Sequence, residues 1–267
     1  MTPTVAELAL VMEQLAPLRF AEPWDNVGLL TGDPSAPLER ALLTIDYTDA
    51  VADEAEAWGA SAVIAYHPPI FKGLTRLLAG TPIVRAVQRG IAIYSPHTAL
   101  DVAAGGTNDT LADLLGLQDV RAVRPGSVAG SLGMGRIGEI SPVPLADFLV
   151  RVGRALLLPH LLVAGPRDRA GELVIDRVAV GAGSCGDLLE AAVRLGAKAF
   201  VTGEVRHHDA LAAIRAGLVV VATLHSNSER STLEELRSRL AMRLPGAQFM
   251  VSERDADPFR VVQTLAE

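Results

Sequence analysis

The feature that most constrains this chain is an alternation of short apolar runs with helical stretches, in which polar residues collect where the runs end. Ala41 to Ile45 has strand length and is closed by Asp46. Asp49 to Trp58 follows with helical patterning and stops at Gly59. Ala62 to Ala65 is a second buried strand. It ends in Tyr66-His67 and then Pro68-Pro69, which cannot donate to a sheet ladder. Thr81-Pro82 opens a helix in the favoured cap-then-proline order and Gly90 stops it. Ile91 to Tyr94 then runs directly into Ser95-Pro96-His97-Thr98-Ala99-Leu100-Asp101, and Gly105-Gly106-Thr107-Asn108-Asp109 leads into a helix at Thr110 to Leu115. The second half repeats the rhythm. Strands are expected at Arg177 to Val180, Ala199 to Val201 and Val219 to Ala222, closed by Gly181 to Gly186, Thr202-Gly203-Glu204 and His225 respectively. Helices are expected at Asp187 to Leu195, from His207 to Gly217, and from about Ser226 to Leu244, with a last strand at Gln248 to Ser252. Such alternation implies an α/β chain of two lobes, with mostly parallel sheets flanked by helices and right-handed crossovers.

Thr4-Val5-Ala6-Glu7 has capping-box spacing ahead of a helix whose Leu8, Val11, Met12 and Leu15 share one face, ended by Pro17. Between the halves, Gly116 to Gly133 is rich in Gly, Pro and Arg, with short strand-like pieces, and reads as a connection rather than a core element, which places the lobes at 1–125 and 126–267. A strand at Arg136 to Ile140, a helix from Pro142 to about Leu157, a strand at Leu161 to Ala164 and a polar turn at 166–171 complete the expected order.

Composition bounds the function classes. The 267 residues are 49% hydrophobic but only 4% aromatic, so Ala, Leu and Val must fill the core. A net charge of −7 weighs against a broad footprint on nucleic acid. It leaves room for a small nucleotide in a metal-lined pocket, because bound cations reverse the local field. One cysteine, Cys185, permits no intrachain disulfide and no cysteine-rich zinc site, which fits a reducing cytoplasm. The N-terminus lacks signal-peptide character, and no apolar run approaches the ~18 residues of a membrane span.

The chemistry-bearing residues lie at strand ends. His67 ends one strand, His97 and Asp101 follow another, and His225 and Glu229 share a face at the start of a helix. Imidazole plus carboxylate is a donor set for Zn, Mn, Fe, Ni or Co, and a bridging carboxylate can hold two ions. Each residue also has a structural alternative: a strand-end histidine bonding its loop, or a helix-start Glu favoured by the helix dipole. Asp25-Asn26, in the centre of a stretch with turn residues at each end, is either a backbone-capping turn or part of a site. His207-His208 sit too far apart around a helix to share one ion, which favours substrate contact over ligation. Gly181 to Gly186 could cradle a phosphate, and Cys185 within it is a weak nucleophile candidate.

Trp24-Asp25-Asn26-Val27-Gly28-Leu29, Tyr66-His67-Pro68-Pro69-Ile70-Phe71, Ser95 to Asp101, Gly105 to Asp109, Thr202 to Ala210 and His225 to Arg230 resemble, in order, the motifs of the NIF3-like family, also called GTP cyclohydrolase 1 type 2. The resemblance implies the NIF3-like fold, a toroidal homohexamer and a dinuclear metal centre. Carried over by position, the metal ligands are Tyr66, His67, Asp101, His225 and Glu229, with one or two divalent transition-metal ions per subunit. His97 is then a catalytic or orienting candidate, and Asp25, Asn26, Asn108, His207 and His208 are candidate substrate contacts. Two departures stand out. Tyr66 occupies the place of the family's first histidine, so either a phenolate ligates a hard ion such as Fe(III), or one metal site is weakened or lost. Leu224 and Ser226 flank His225 where the family usually has Gly and an aromatic or His. The resulting expectation is a metal-dependent hydrolase acting on a small nucleotide-like or phosphorylated substrate. The rivals are a non-catalytic metal-binding hexameric scaffold and a ring associated with nucleic acid.

Overall fold

The computed structural model describes residues 1–165, 173–262 and 264. The polar turn expected at 166–171 lies outside them. In chain order the helices are α1 Val5–Leu15, α2 Asp49–Trp58, α3 Pro82–Arg89, α4 His97–Asp101, α5 Thr107–Leu114, α6 Leu145–Ala155, α7 Leu189–Arg194, α8 His207–Arg215, α9 His225–Glu229 and α10 Ser231–Arg243. The strands are β1 Gly28–Thr31, β2 Arg40–Thr44, β3 Ala62–Ala65, β4 Ala92–Ser95, β5 Gln118–Pro125, β6 Gly133–Pro144, β7 Leu162–Ala164, β8 Val174–Ser184, β9 Ala199–Glu204, β10 Val219–Ala222 and β11 Gln248–Val251.

The chain forms two compact α/β units. The first comprises Met1–Gly106, Val128–Ser131 and Thr232–Ala256. The second takes Thr107–Ser127, the described part of 132–231, and the described residues from Asp257 onward. A single division at residue 125 does not describe this arrangement. The chain returns to the first unit because Leu233, Leu236, Leu240 and Leu244, at helical spacing on and just beyond α10, are buried in that unit's core.

In the first unit the sheet order is β1-β4-β3-β2-β11, parallel except where β1 pairs β4. Strand alternation divides its residues cleanly. Ala41, Leu43, Ala62, Ile64, Ala92 and Tyr94 face a core shared with α1 and α10. Leu42, Val63 and Ile93 face a second core with residues of α2 and α3. Both cores are continuous because parallel strands covered on two sides must be apolar on two sides. Tyr66 continues the first set past the end of β3, so its ring is buried with Ile64. The Thr4–Glu7 capping box forms as the spacing predicts.

The second unit's sheet order is β5-β6-β8-β9-β10-β7. Its centre, β8-β9-β10, is parallel, while β5, β6 and β7 add antiparallel strands at the edges. Val178, Val180, Val201, Val219 and Val221 face residues of α5 and α6, and Ala179, Phe200 and Val220 face residues of α7 and α8. The stretch expected to be a connection with short strand-like pieces, Gly116 to Gly133, contains an eight-residue edge strand, β5, whose mostly exposed residues need not form an apolar run on both faces. The long helix expected from Ser226 to Leu244 is instead α9 and α10, separated at Arg230. No helix among the described residues is long and apolar enough to cross a membrane.

Candidate metal centre

In the first unit, the ladder between β2 and β3 ends at Thr44 opposite Ala65, and two further residues place Asp46 against His67. Asp46 Oδ1 lies 2.9 Å from His67 Nδ1. An ionised carboxylate only accepts, so this pairing puts the ring proton on Nδ1 and the lone pair on Nε2, the atom through which such an imidazole ligates. His97 begins α4, and its Nδ1 lies 2.8 Å from Asp25 Oδ1. The Asp25 side chain is fully buried. Its Oδ2 accepts from the Thr98 hydroxyl at 2.5 Å and from the Thr98 N–H at 3.2 Å, while its Oδ1 accepts from the Asn26 N–H at 2.8 Å. Burial pushes the Asp25 carboxyl upward, but hydrogen bonds from His97 and Thr98, the His97 charge and the Asn26 N–H together hold it below the usual carboxylate range.

Asp101 closes the single-turn helix α4 and is buried. The Tyr66 hydroxyl donates to its Oδ1, and the Ser95 hydroxyl fixes the Tyr66 carbonyl at 2.9 Å. The Tyr66, His67 and His97 rings meet edge to face, with centroids 5.4 to 5.9 Å apart.

In the second unit, β9 and β10 are in register to Thr202 opposite Ala222. Beyond that pair, Glu204 Oε1 lies 3.0 Å from His225 Nδ1. The other ring nitrogen, Nε2, lies 3.3 Å from Glu229 Oε1, one turn along α9. Glu229 is buried. Two ligands about 2.0–2.2 Å from one tetrahedral ion stand about 3.4 Å apart, so the Nε2/Oε1 pair is spaced for chelation. The backbone of β8 passes directly beneath it. Gly183 has φ +71°, and a Cβ there would come within 2.6 Å of Glu229 Oε1 and 3.3 Å of His225 Nε2. Its N–H donates to Ser228 Oγ at 2.8 Å. The donor chemistry in both units therefore fits a divalent transition metal: His67, His225 and Glu229 each offer one ligand atom, and both histidines are held on Nδ1 by a carboxylate.

The other candidate residues have the following surroundings. Asp25, expected as a substrate contact, bonds His97 and Thr98. The Asn26 amide donates to the Ile70 carbonyl at 2.5 Å, tying two loops together. Asn108 is fully buried; it accepts from the Ala182 N–H at 3.0 Å and reaches Met134 Sδ at 3.8 Å, so it pins β8. His207 and His208 are exposed at the start of α8, their rings against each other at 5.4 Å. The Gly181 to Gly186 stretch is no phosphate cradle: its first four residues belong to β8, and the Ala182 and Gly183 N–H groups are taken by Asn108 and Ser228. Cys185 is buried, with its thiol on the Ala182 carbonyl at 3.1 Å, as a core residue rather than a nucleophile. The residues that sequence reasoning passed over are Asp46 and Glu204. They were visible only as strand closures, because their partnership with histidine depends on which strands are neighbours.

The model of the Duf34/NIF3 (NGG1p interacting factor 3) family matches residues 3–258. A protein NIF3 homolog from Schizosaccharomyces pombe is 34% identical, across 95% of this chain and 96% of that protein. A GTP cyclohydrolase 1 type 2 homolog from Clostridium perfringens is 30% identical, across 94% and 97%. The crystal structure of a hypothetical protein from Staphylococcus aureus superposes with a TM-score of 0.89 at 29% identity, covering 98% of this chain and all of that one. With a family match spanning nearly the whole chain and relatives alike over nearly their full lengths, this chain belongs to the DUF34/NIF3 family.

Proposed function

We propose that this chain is a metal-dependent hydrolase acting on a small nucleotide-like or phosphorylated substrate, with His67, Asp101, His225 and Glu229 as ligands to one or two divalent transition-metal ions. The observation that carries this reading is the repeated orientation of histidine by carboxylate: Asp46 on His67 and Glu204 on His225. Carboxylates of this kind fix the ring and raise its basicity toward a metal. A bound ion would lower the pKa of a water to about 7 and polarise the substrate. His97, with its Nδ1 held by Asp25, has Nε2 available to accept a proton as general base. Tyr66 donates to Asp101 and so positions that carboxylate; a neutral phenol in this role supports one strong metal site, and a phenolate would make Tyr66 a further ligand. The name of the Clostridium perfringens relative agrees with a nucleotide-like substrate. A cytoplasmic, ring-shaped homohexamer is the assembly this reading adopts.

A second reading, a metal-binding scaffold without turnover, is favoured by the same Tyr66, since it stands where the family resemblance places a ligand. The test is to load purified protein with Mn, Fe or Zn and assay nucleotides, phosphoesters and amides. Turnover abolished by Glu229→Ala, with the oligomer intact by sedimentation, supports the hydrolase; tight metal binding with uniform inactivity supports the scaffold. Metal analysis of wild type and Tyr66→His sharpens the ligand assignment: about one ion against two is expected, and none in either would overturn it.

A further inference from the structure

Trp24 is 58% exposed, yet the loop that carries it is tightly held. Asp25 and Asn26, directly after it, bond His97, Thr98 and the Ile70 carbonyl. Glu22, two residues before, donates its N–H to the Thr98 hydroxyl at 3.0 Å. The Asn26 bond brings a second large exposed ring alongside: Phe71, 46% exposed, has its centroid 5.9 Å from that of Trp24. A ring more than half exposed on a fixed loop returns only part of its apolar area to the fold, through its contacts with Phe71 and His97. Such a surface is preorganised for a ligand that will cover it.

The rest of the ring chain says which ligand. Trp24 meets His97 at 6.0 Å, and His97 meets His67 at 5.4 Å, so the exposed indole is two ring contacts from a proposed metal donor. Trp24, Tyr66 and Phe71 are three of only eleven Trp, Tyr and Phe residues in the chain. Lys72, one of two lysines, follows Phe71 and is exposed, in a protein that is otherwise net acidic. We infer that Trp24 and Phe71 form a stacking platform for the planar heterocyclic base of a nucleotide whose reacting group lies toward His67 and His97. Stacking on an aromatic face is tolerant of base identity because every base has a π-face, so this subsite selects for a base without selecting among bases. Lys72 supplies a cation for the phosphate. The inference rests on the proposed function only for which end of the substrate reacts; binding of the base stands on the platform alone.

The experiment follows Trp24 fluorescence in a Trp58→Phe background while titrating the protein as purified with GMP, AMP or ribose 5-phosphate. Saturable quenching by GMP and AMP, and none by ribose 5-phosphate, is expected. Trp24→Ala should weaken GMP binding, measured by calorimetry, by tenfold or more, and Trp24→Phe should restore most of it. Equal binding of ribose 5-phosphate, no binding of GMP, or GMP affinity unchanged in Trp24→Ala would overturn the platform. So would a change in oligomer mass on Trp24→Ala, because the ring would then be covered by a second copy of the chain. Trp24-dependent base binding without any turnover overturns the hydrolase alone. Hydrolysis of a nucleotide with kcat/KM untouched by Trp24→Ala overturns the platform alone.

Discussion

Around His67 and around His225 the backbone is built the same way. In each, two parallel strands end side by side, the first delivering a carboxylate and the second a histidine that receives it on Nδ1. Each unit also has a five-residue helix with histidine first and carboxylate last, α4 and α9. The side chains then diverge. In the second unit one histidine does both jobs: His225 takes Glu204 on one nitrogen and faces Glu229 with the other. In the first unit the jobs are split. His67 takes Asp46, while His97, at the head of α4, turns to Asp25, and Asp101 at its foot receives Tyr66. A buried carboxylate needs a partner. The second corner supplies an imidazole beside it and brings β8 in close through a glycine; the first supplies a phenol from its own core. One backbone device thus yields an imidazole–carboxylate pair at chelating distance in one unit and a hydrogen-bonded carboxylate in the other.

The comparison can be broken most forcefully at Gly183. Gly183→Ala adds a methyl against Glu229 and His225 at a φ that strains any other residue. It should cost roughly 3 kcal/mol or more, read as a fall in unfolding midpoint together with lost metal. A neutral result would mean that the backbone beneath the pair is not constrained. Asp46→Asn and Glu204→Gln probe the shared device directly: each should weaken metal affinity by about 10- to 100-fold in competition titrations. If one variant binds like wild type, its carboxylate is a bystander and the two corners differ in kind. Tyr66→Phe leaves the buried Asp101 without its phenolic donor and should cost about 1–3 kcal/mol by denaturant titration, with the metal count unchanged. Loss of an ion in that variant would instead make the phenol oxygen a ligand. The smallest effect is expected at Leu224, which enters α9 at φ +72°. Leu224→Gly should relieve that strain at the expense of some side-chain burial, for a net gain of about 0.5–1 kcal/mol. A loss would show that the leucine side chain matters more than its backbone angle.

Much of this was legible in the sequence for a physical reason. Strands buried on both faces, such as Ala62 to Ala65 and Val219 to Ala222, are short unbroken apolar runs, and helices such as Asp49 to Trp58 end on glycine. Both signals are local. What was not legible depends on neighbours. β5 is an edge strand with mostly exposed residues, so the sequence shows only short strand-like pieces there and not its place in the sheet. The membership of α10 and β11 in the first unit is a matter of long-range pairing, which a linear pass cannot see. The same limit governs the site. His67, Asp101, His225 and Glu229 could be singled out by residue type and strand-end position, but Asn108 looks equally polar while its side-chain oxygen accepts from the Ala182 N–H in the core. Asp46 and Glu204 become meaningful only when β2 is known to lie beside β3, and β9 beside β10.

The placement of β11 has a consequence for synthesis. It pairs β2 in parallel, Gln248 opposite Arg40, across a separation that contains the second unit's residues up to Ser231. While the ribosome is still making the second unit, β2 is the bare edge of an unfinished sheet, and the hydrophobic face that α10 will cover stands open. Exposed edges of this kind pair readily with other chains. A nascent chain of this topology therefore spends the interval between residue 44 and residue 248 exposed to mispairing, and a block in elongation near Arg230 should yield aggregates rather than a soluble first unit.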